Sequence, residues 1–159
     1  AAVTAAPRDR PDLLLERPTV GRARLREARI LAAALAAHLG SPVRAADEAR
    51  FVVRRRDLSA GTVGIYVPSP RYAGRPVLLL ASTTSGRDRE AMFALAAGHH
   101  YLGHRSQLAY AYGREGARFS DPLAEEEARA FASAFLRAMP VRPSALVSAS
   151  VTNVVSARG

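Results

Sequence analysis

A continuous apolar run, Val77-Leu78-Leu79-Leu80-Ala81, lies between Pro76 and the polar turn Ser82-Thr83-Thr84-Ser85. A strand buried on both faces has this character, with no polar alternation to mark an exposed side. It needs other elements to cover it, and the flanking sequence supplies them. Thr62 to Val67 is β-branched or aromatic at most positions and stops at Pro68, which predicts a second strand. Phe51 to Val53 predicts a third, running into Arg54-Arg55-Arg56. The triple arginine reads as an exposed edge strand, with clamping of a phosphate as the sharper alternative. Ser69-Pro70 through Gly74 predicts a turn or loop between the strand ending at Val67 and the run from Val77.

Helical periodicity brackets these strands. From Arg22 to Leu39, the residues Leu25, Ala28, Leu31 (or Ala32), Leu35 and Leu39 recur at steps of three and four, and Gly40-Ser41-Pro42 ends the pattern. A second helix is expected after Ser85, which can cap it, with Asp88 and Glu90 favoured near the positive end of the helix dipole. Gln107 to Gly116 reads as a loop. A third helix starts at Asp121-Pro122, a capping residue followed by proline at the first helical position, and stops at Met139-Pro140. Its stripe is Glu127, Phe131, Ala134 and Phe135. Residues 1–20 lack periodicity and predict a flexible arm. Ser144 to Gly159 predicts a short helix or a frayed tail. The expectation is one α+β domain over residues 21–159, with a small sheet packed against helices.

There is no Cys, so a metal would have to be held by His and carboxylates. The longest apolar run, about Ile30 to Leu39, is too short to span a bilayer. With no recognisable signal segment, a cytoplasmic chain is expected. All 23 basic residues are Arg and the net charge is +9. That charge fits a solvated arginine coat or contact with nucleic acid or an acidic partner. Aromatic residues make up only 6% of the chain, which argues against a stacking platform for single strands.

Three of the four histidines fall in His99-His100-Tyr101-Leu102-Gly103-His104. On a helix His100 and His104 would project from one face, at the spacing of the zinc-peptidase motif HExxH. Tyr101 stands where the motif has its general base. A helical Glu one element downstream, Glu127, completes a candidate zinc triad of His100, His104 and Glu127.

The run from Glu125 to Pro140, Glu-Glu-Glu-Ala-Arg-Ala-Phe-Ala-Ser-Ala-Phe-Leu-Arg-Ala-Met-Pro, resembles the second motif of the ImmA/IrrE-type metallopeptidases. The strand Val77 to Leu80 and the turn at Ser82 to Ser85 also stand where that family has them. The resemblance spans roughly Arg22 to Pro140. It implies a minimal zincin-like fold and Glu127 as third zinc ligand. It also implies a substrate that is a DNA-binding repressor, cleaved to release transcription in phage or stress responses. Two registers are open. In one, His100-Tyr101-Leu102-Gly103-His104 lies on HELGH and loses only the Glu. In the other, Phe93 to His99 lies on TLAHELGH, which leaves Leu95 and Ala96 in place of ligand and base and keeps only His99.

Loss of a positioned acid–base group costs about 10²–10⁴-fold in rate. Tyr101 could donate a hydrogen bond to an oxyanion, but an ordinary phenol titrating near 10 is a poor base. Glu125 and Glu126 are expected to point away from the face of Glu127. Three functions stay open: a zinc peptidase in which Tyr101 has a secondary catalytic role, a pseudo-peptidase that binds a protein partner, and an arginine-rich nucleic-acid-binding domain.

Overall fold

The computed structural model describes residues 21–69, 74–118 and 121–140. The expected arm over 1–20 and the segment from Ser144 onward lie outside the described residues, as does most of the turn after Ser69. The architecture is α+β: four helices and one five-stranded sheet among the described residues.

Helix α1 (Arg22–Leu39) ends where expected, with Gly40 in the left-handed region. Its buried stripe is Ala28, Ala32, Ala36 and Leu39. The leucines at 25, 31 and 35 are half-buried flanks. Alanines take the centre because α1 packs chiefly on α4 (Pro122–Ala138), and small side chains let two helices come close. Ser41-Pro42 stops α1 and also starts a short helix that was not anticipated, α2 (Pro42–Glu48). The Ser41 hydroxyl accepts from the Arg44 N–H, and Pro42 takes the first helical position.

Strands β1 (Val52–Arg56), β2 (Thr62–Val67) and β3 (Val77–Ala81) follow. Two more, β4 (Tyr110–Gly113) and β5 (Gly116–Ala117), replace the loop expected there. The order across the sheet is β1-β3-β2-β4-β5. β1 runs parallel to β3, pairing Val52 with Val77 and Arg54 with Leu79. β2 is antiparallel to both β3 and β4. β3 is therefore interior, as its apolar run predicts, and β1 is an edge whose three arginines are exposed.

Helix α3 (Gly86–Tyr101) packs on β2, β3, α2 and α4. The Ser85 side chain makes no cap bond to it, contrary to expectation. Met92, Phe93 and Ala96 of α3 join Phe51, Tyr66, Leu78, Leu80, Tyr110 and Tyr112 in one core cluster. On its other side Ala97 meets Phe131 and Phe135 of α4 and the alanine face of α1. α3 lies tight against α4 at Gly98, where an added Cβ would sit 3.1 Å from the Ala128 carbonyl oxygen and 3.2 Å from Phe131. Asp121 caps α4, accepting from the N–H groups of Leu123 and Ala124. No helix among the described residues is long and apolar enough to cross a membrane.

Candidate functional site

The site forms where α3 stops. Leu102 caps the helix and Gly103 takes φ +73°, a conformation open to glycine and strained for other residues. The Gly103 N–H donates to the His100 carbonyl at 3.1 Å, and the His104 N–H to the His99 carbonyl at 2.9 Å. This pair of bonds is a Schellman turn. It corrects the expectation that one helix carries both His100 and His104. The turn takes His104 off the helical path and folds it back on His99.

His99 is fully buried in the last turn of α3, its ring stacked on Tyr110 with centroids 3.9 Å apart. Its Nδ1 lies 2.9 Å from Nδ1 of His104. Its Nε2 lies 2.5 Å from the Tyr112 hydroxyl and 3.4 Å from Oε1 of Glu125. The Tyr112 hydroxyl donates to the Glu125 carboxylate, with oxygens at 2.9 and 3.1 Å. On the other side His104 Nε2 lies 3.1 Å from Oε2 of Glu127, and Arg24 of α1 reaches Oε1 of the same carboxylate at 3.1 Å. One line of contacts thus runs Arg24–Glu127–His104–His99–Tyr112–Glu125, joining α1, α4, the end of α3 and β4. No buried side-chain nitrogen or oxygen among the described residues lacks a hydrogen-bond partner.

The proton positions follow from donors and acceptors. Burial, and secondly the Glu125 charge, push the Tyr112 phenol far above its ordinary value, so it keeps its proton. Burial pulls the His99 imidazole below its ordinary value, against the opposing pull of Glu125, so it is neutral. Tyr112 donates to Glu125 and so accepts from His99 Nε2–H. His99 Nδ1 then carries no proton and accepts from His104. His104 bonds through both ring nitrogens, Nδ1 to His99 and Nε2 to Glu127.

Of the expected triad, the structure brings His104 and Glu127 together and places His100 elsewhere. The half-buried His100 ring lies edge-on to Phe51 at 5.4 Å and to Tyr101 at 5.1 Å. Tyr101 donates its hydroxyl to the Ala45 carbonyl of α2 at 3.1 Å, and burial raises its phenol pKa, which keeps it protonated. It stands in the packing between α3 and α2, away from His104's partners. Glu127 reaches His104 through Nε2, the nitrogen remote from His99. Two imidazole ligands on a tetrahedral zinc, each bonded at about 2.0–2.1 Å, would hold their nitrogens about 3.3 Å apart. The His99–His104 pair stands closer, with a hydrogen between the rings. No group of three or more His, Asp or Glu among the described residues is arranged to hold a metal ion. As placed, His104 and Glu127 stand together and His100 stands apart from them.

The sequence reading missed Glu125 and Tyr112. Glu125, expected to point away from the face of Glu127, turns to β4, where it is buried and bonded to Tyr112. Residues two apart on a helix face different ways, and the first turns of α4 are enclosed on two sides. Glu125 meets β4, and Glu127 meets α1 and His104. Tyr112 was hidden by the assignment of 107–116 to a loop. The signal available was the alternation of Tyr110 and Tyr112 before Gly113. In the polar turn before α3 the Thr84 hydroxyl donates to the Val63 carbonyl and the Ser82 hydroxyl to Asp57.

Comparison with known protein families and with curated proteins finds no match to this chain.

Proposed function

We propose that this chain is a non-hydrolytic domain on a metallopeptidase-like scaffold, and that it regulates transcription by binding a protein partner. The partner class is the one implied by the ImmA/IrrE resemblance, a DNA-binding repressor. One observation carries the loss of hydrolysis. All four ring nitrogens of His99 and His104 are engaged, Nδ1 with Nδ1 and each Nε2 with a carboxylate or the hydroxyl bonded to one. A metal bound at either ring would have to displace one of these hydrogen bonds. Tyr101, in the place of the motif's general base, is turned to Ala45. On this reading the histidines clasp α1, α3 and α4 together and hold the shape that the partner meets.

The test is the metal content of protein purified without chelator and again after zinc addition, by mass spectrometry of the metals. The expected result is no stoichiometric zinc, with a melting temperature unmoved by chelator. A stoichiometry of about one zinc per chain, lost in His104→Ala, would overturn the proposal and restore the peptidase reading. Tyr101→Glu is expected to leave the protein without peptidase activity.

A further inference from the structure

The outer edge of β1 combines two observations that neither the histidine cluster nor the proposed function uses. In a strand, successive residues point their backbone groups to opposite sides. The Val52 N–H donates to the Pro76 carbonyl and the Arg56 carbonyl accepts from Ser82, so the even-numbered residues of β1 face β3. The carbonyls of Phe51, Val53 and Arg55 therefore face outward, along the edge of the sheet. Each one is covered by a guanidinium. Arg75 donates to Phe51 at 3.3 Å, Arg54 to Val53 at 3.0 Å and Arg56 to Arg55 at 2.7 Å. Arg55 belongs to the other face, where it holds the carbonyls of Ser82 and Thr84.

A bare edge strand pairs with any extended chain, and charged side chains are the common protection against it. Here the protection is selective. Arg54 and Arg56 are exposed and sit two apart, on one face of the strand. A strand added beside β1 would set its own side chains about 4.5–5.5 Å from theirs at directly opposite positions. If those side chains are carboxylates, the guanidiniums leave the carbonyls for a stronger, charge-assisted partner and uncover the edge as they go. A neutral strand would have to displace them with no such compensation, and a basic one would be repelled.

We propose that the β1 edge is a docking site for an acidic extended peptide with carboxylates at alternate positions, which joins the sheet as a sixth strand through the outward backbone groups of Val53 and Arg55. Charge complementarity selects this occupant, and the covered carbonyls make the selection depend on it. The inference rests on β1 alone and would survive failure of the regulatory reading.

The experiment is fluorescence anisotropy of the full chain with a labelled peptide of alternating glutamate and threonine, slightly longer than β1. Controls are the same peptide N-methylated at alternate residues, a neutral peptide of alternating glutamine and threonine, and a single-stranded oligonucleotide of equal charge. Binding of the acidic peptide is expected, weakened about tenfold or more by N-methylation, which removes backbone donors and keeps the charge. The double variant Arg54→Gln/Arg56→Gln should lose about tenfold or more for the acidic peptide and gain affinity for the neutral one, because its edge is uncovered. A purely electrostatic patch would show no gain for the neutral peptide. Equal binding of the N-methylated peptide, an unchanged neutral peptide in the double variant, or tighter binding of the oligonucleotide would each overturn the proposal.

Discussion

Replacing Tyr112 by Phe deletes one oxygen from the buried line of hydrogen bonds and leaves the ring in place. That oxygen serves two neighbours. It donates to the Glu125 carboxylate at 2.9 Å and accepts from His99 at 2.5 Å. A buried hydrogen bond to a charged group is worth about 1.5–3 kcal/mol, and a buried neutral donor without a partner adds about 1 kcal/mol or more. Glu125 stands 3.4 Å from His99 Nε2, so the histidine can turn its donor to the carboxylate and recover part of the loss. The net expectation for Tyr112→Phe is a loss of about 2–3 kcal/mol. With a urea slope of about 2 kcal/mol/M, the unfolding midpoint should drop by about 1 M or slightly more, with the slope unchanged. The second half of the test is the double variant Tyr112→Phe/Glu125→Met. Removing both partners leaves two apolar groups in contact instead of one stranded carboxylate, so the double variant should cost about 1–2 kcal/mol less than the sum of its single parents. Single costs that add, or a Tyr112→Phe variant within about 0.5 kcal/mol of the parent, would refute the argument that this oxygen holds the two buried groups.

Stability should fall on mild acidification. Burial keeps the folded-state pKa of His99 below the ordinary value of about 6.5. Between that value and the lower folded-state pKa, the unfolded chain binds a proton that the folded chain does not. Stability is therefore complete above about pH 6.5 and falls by up to about 1.4 kcal/mol per pH unit below it. His100, also lowered by burial, acts in the same direction. Melting temperatures from pH 8 down to pH 5 check this, and a flat profile would contradict it. Gly98→Val should destabilise by about 3 kcal/mol, because its Cβ would press on the Ala128 backbone at 3.1 Å and α3 could not keep its seat on α4. Urea unfolding measures the loss, and a parental midpoint would show that the two helices have room to separate.

Much of the fold was legible because its signals are local. Gly40 and Asp121-Pro122 mark where α1 ends and α4 begins, and the apolar run at Val77 marks the interior strand. The elements missed owe their form to neighbours. α2 is short, and the residues that announce it, Ser41-Pro42, also end α1. Tyr110 to Gly113 is a strand because β2 offers it an edge, and the nearby glycines gave it the look of a loop. In the site, His104 and Glu127 were found and their pairing is direct. His100 was preferred over His99 because a helix continued through Gly103 puts His100 and His104 in line. One glycine in the left-handed region undoes that geometry and exchanges one histidine for its neighbour.

The packing of α1 on α4 sets the order in which this chain can be completed. As a ribosome makes the chain from the N-terminus, α1 emerges long before α4, with its stripe of Ala28, Ala32 and Ala36 facing a helix that has not been synthesised. Arg24 waits 103 residues for Glu127. Alanine offers little apolar surface to hold a collapsed intermediate, so the alanine stripe of α1 has little to attach to until α4 arrives. The domain then closes in a late step that joins α1 to α4. Nascent chains halted before Asp121 should be cut readily by protease within α1, while chains extended past Met139 and clear of the ribosome should resist.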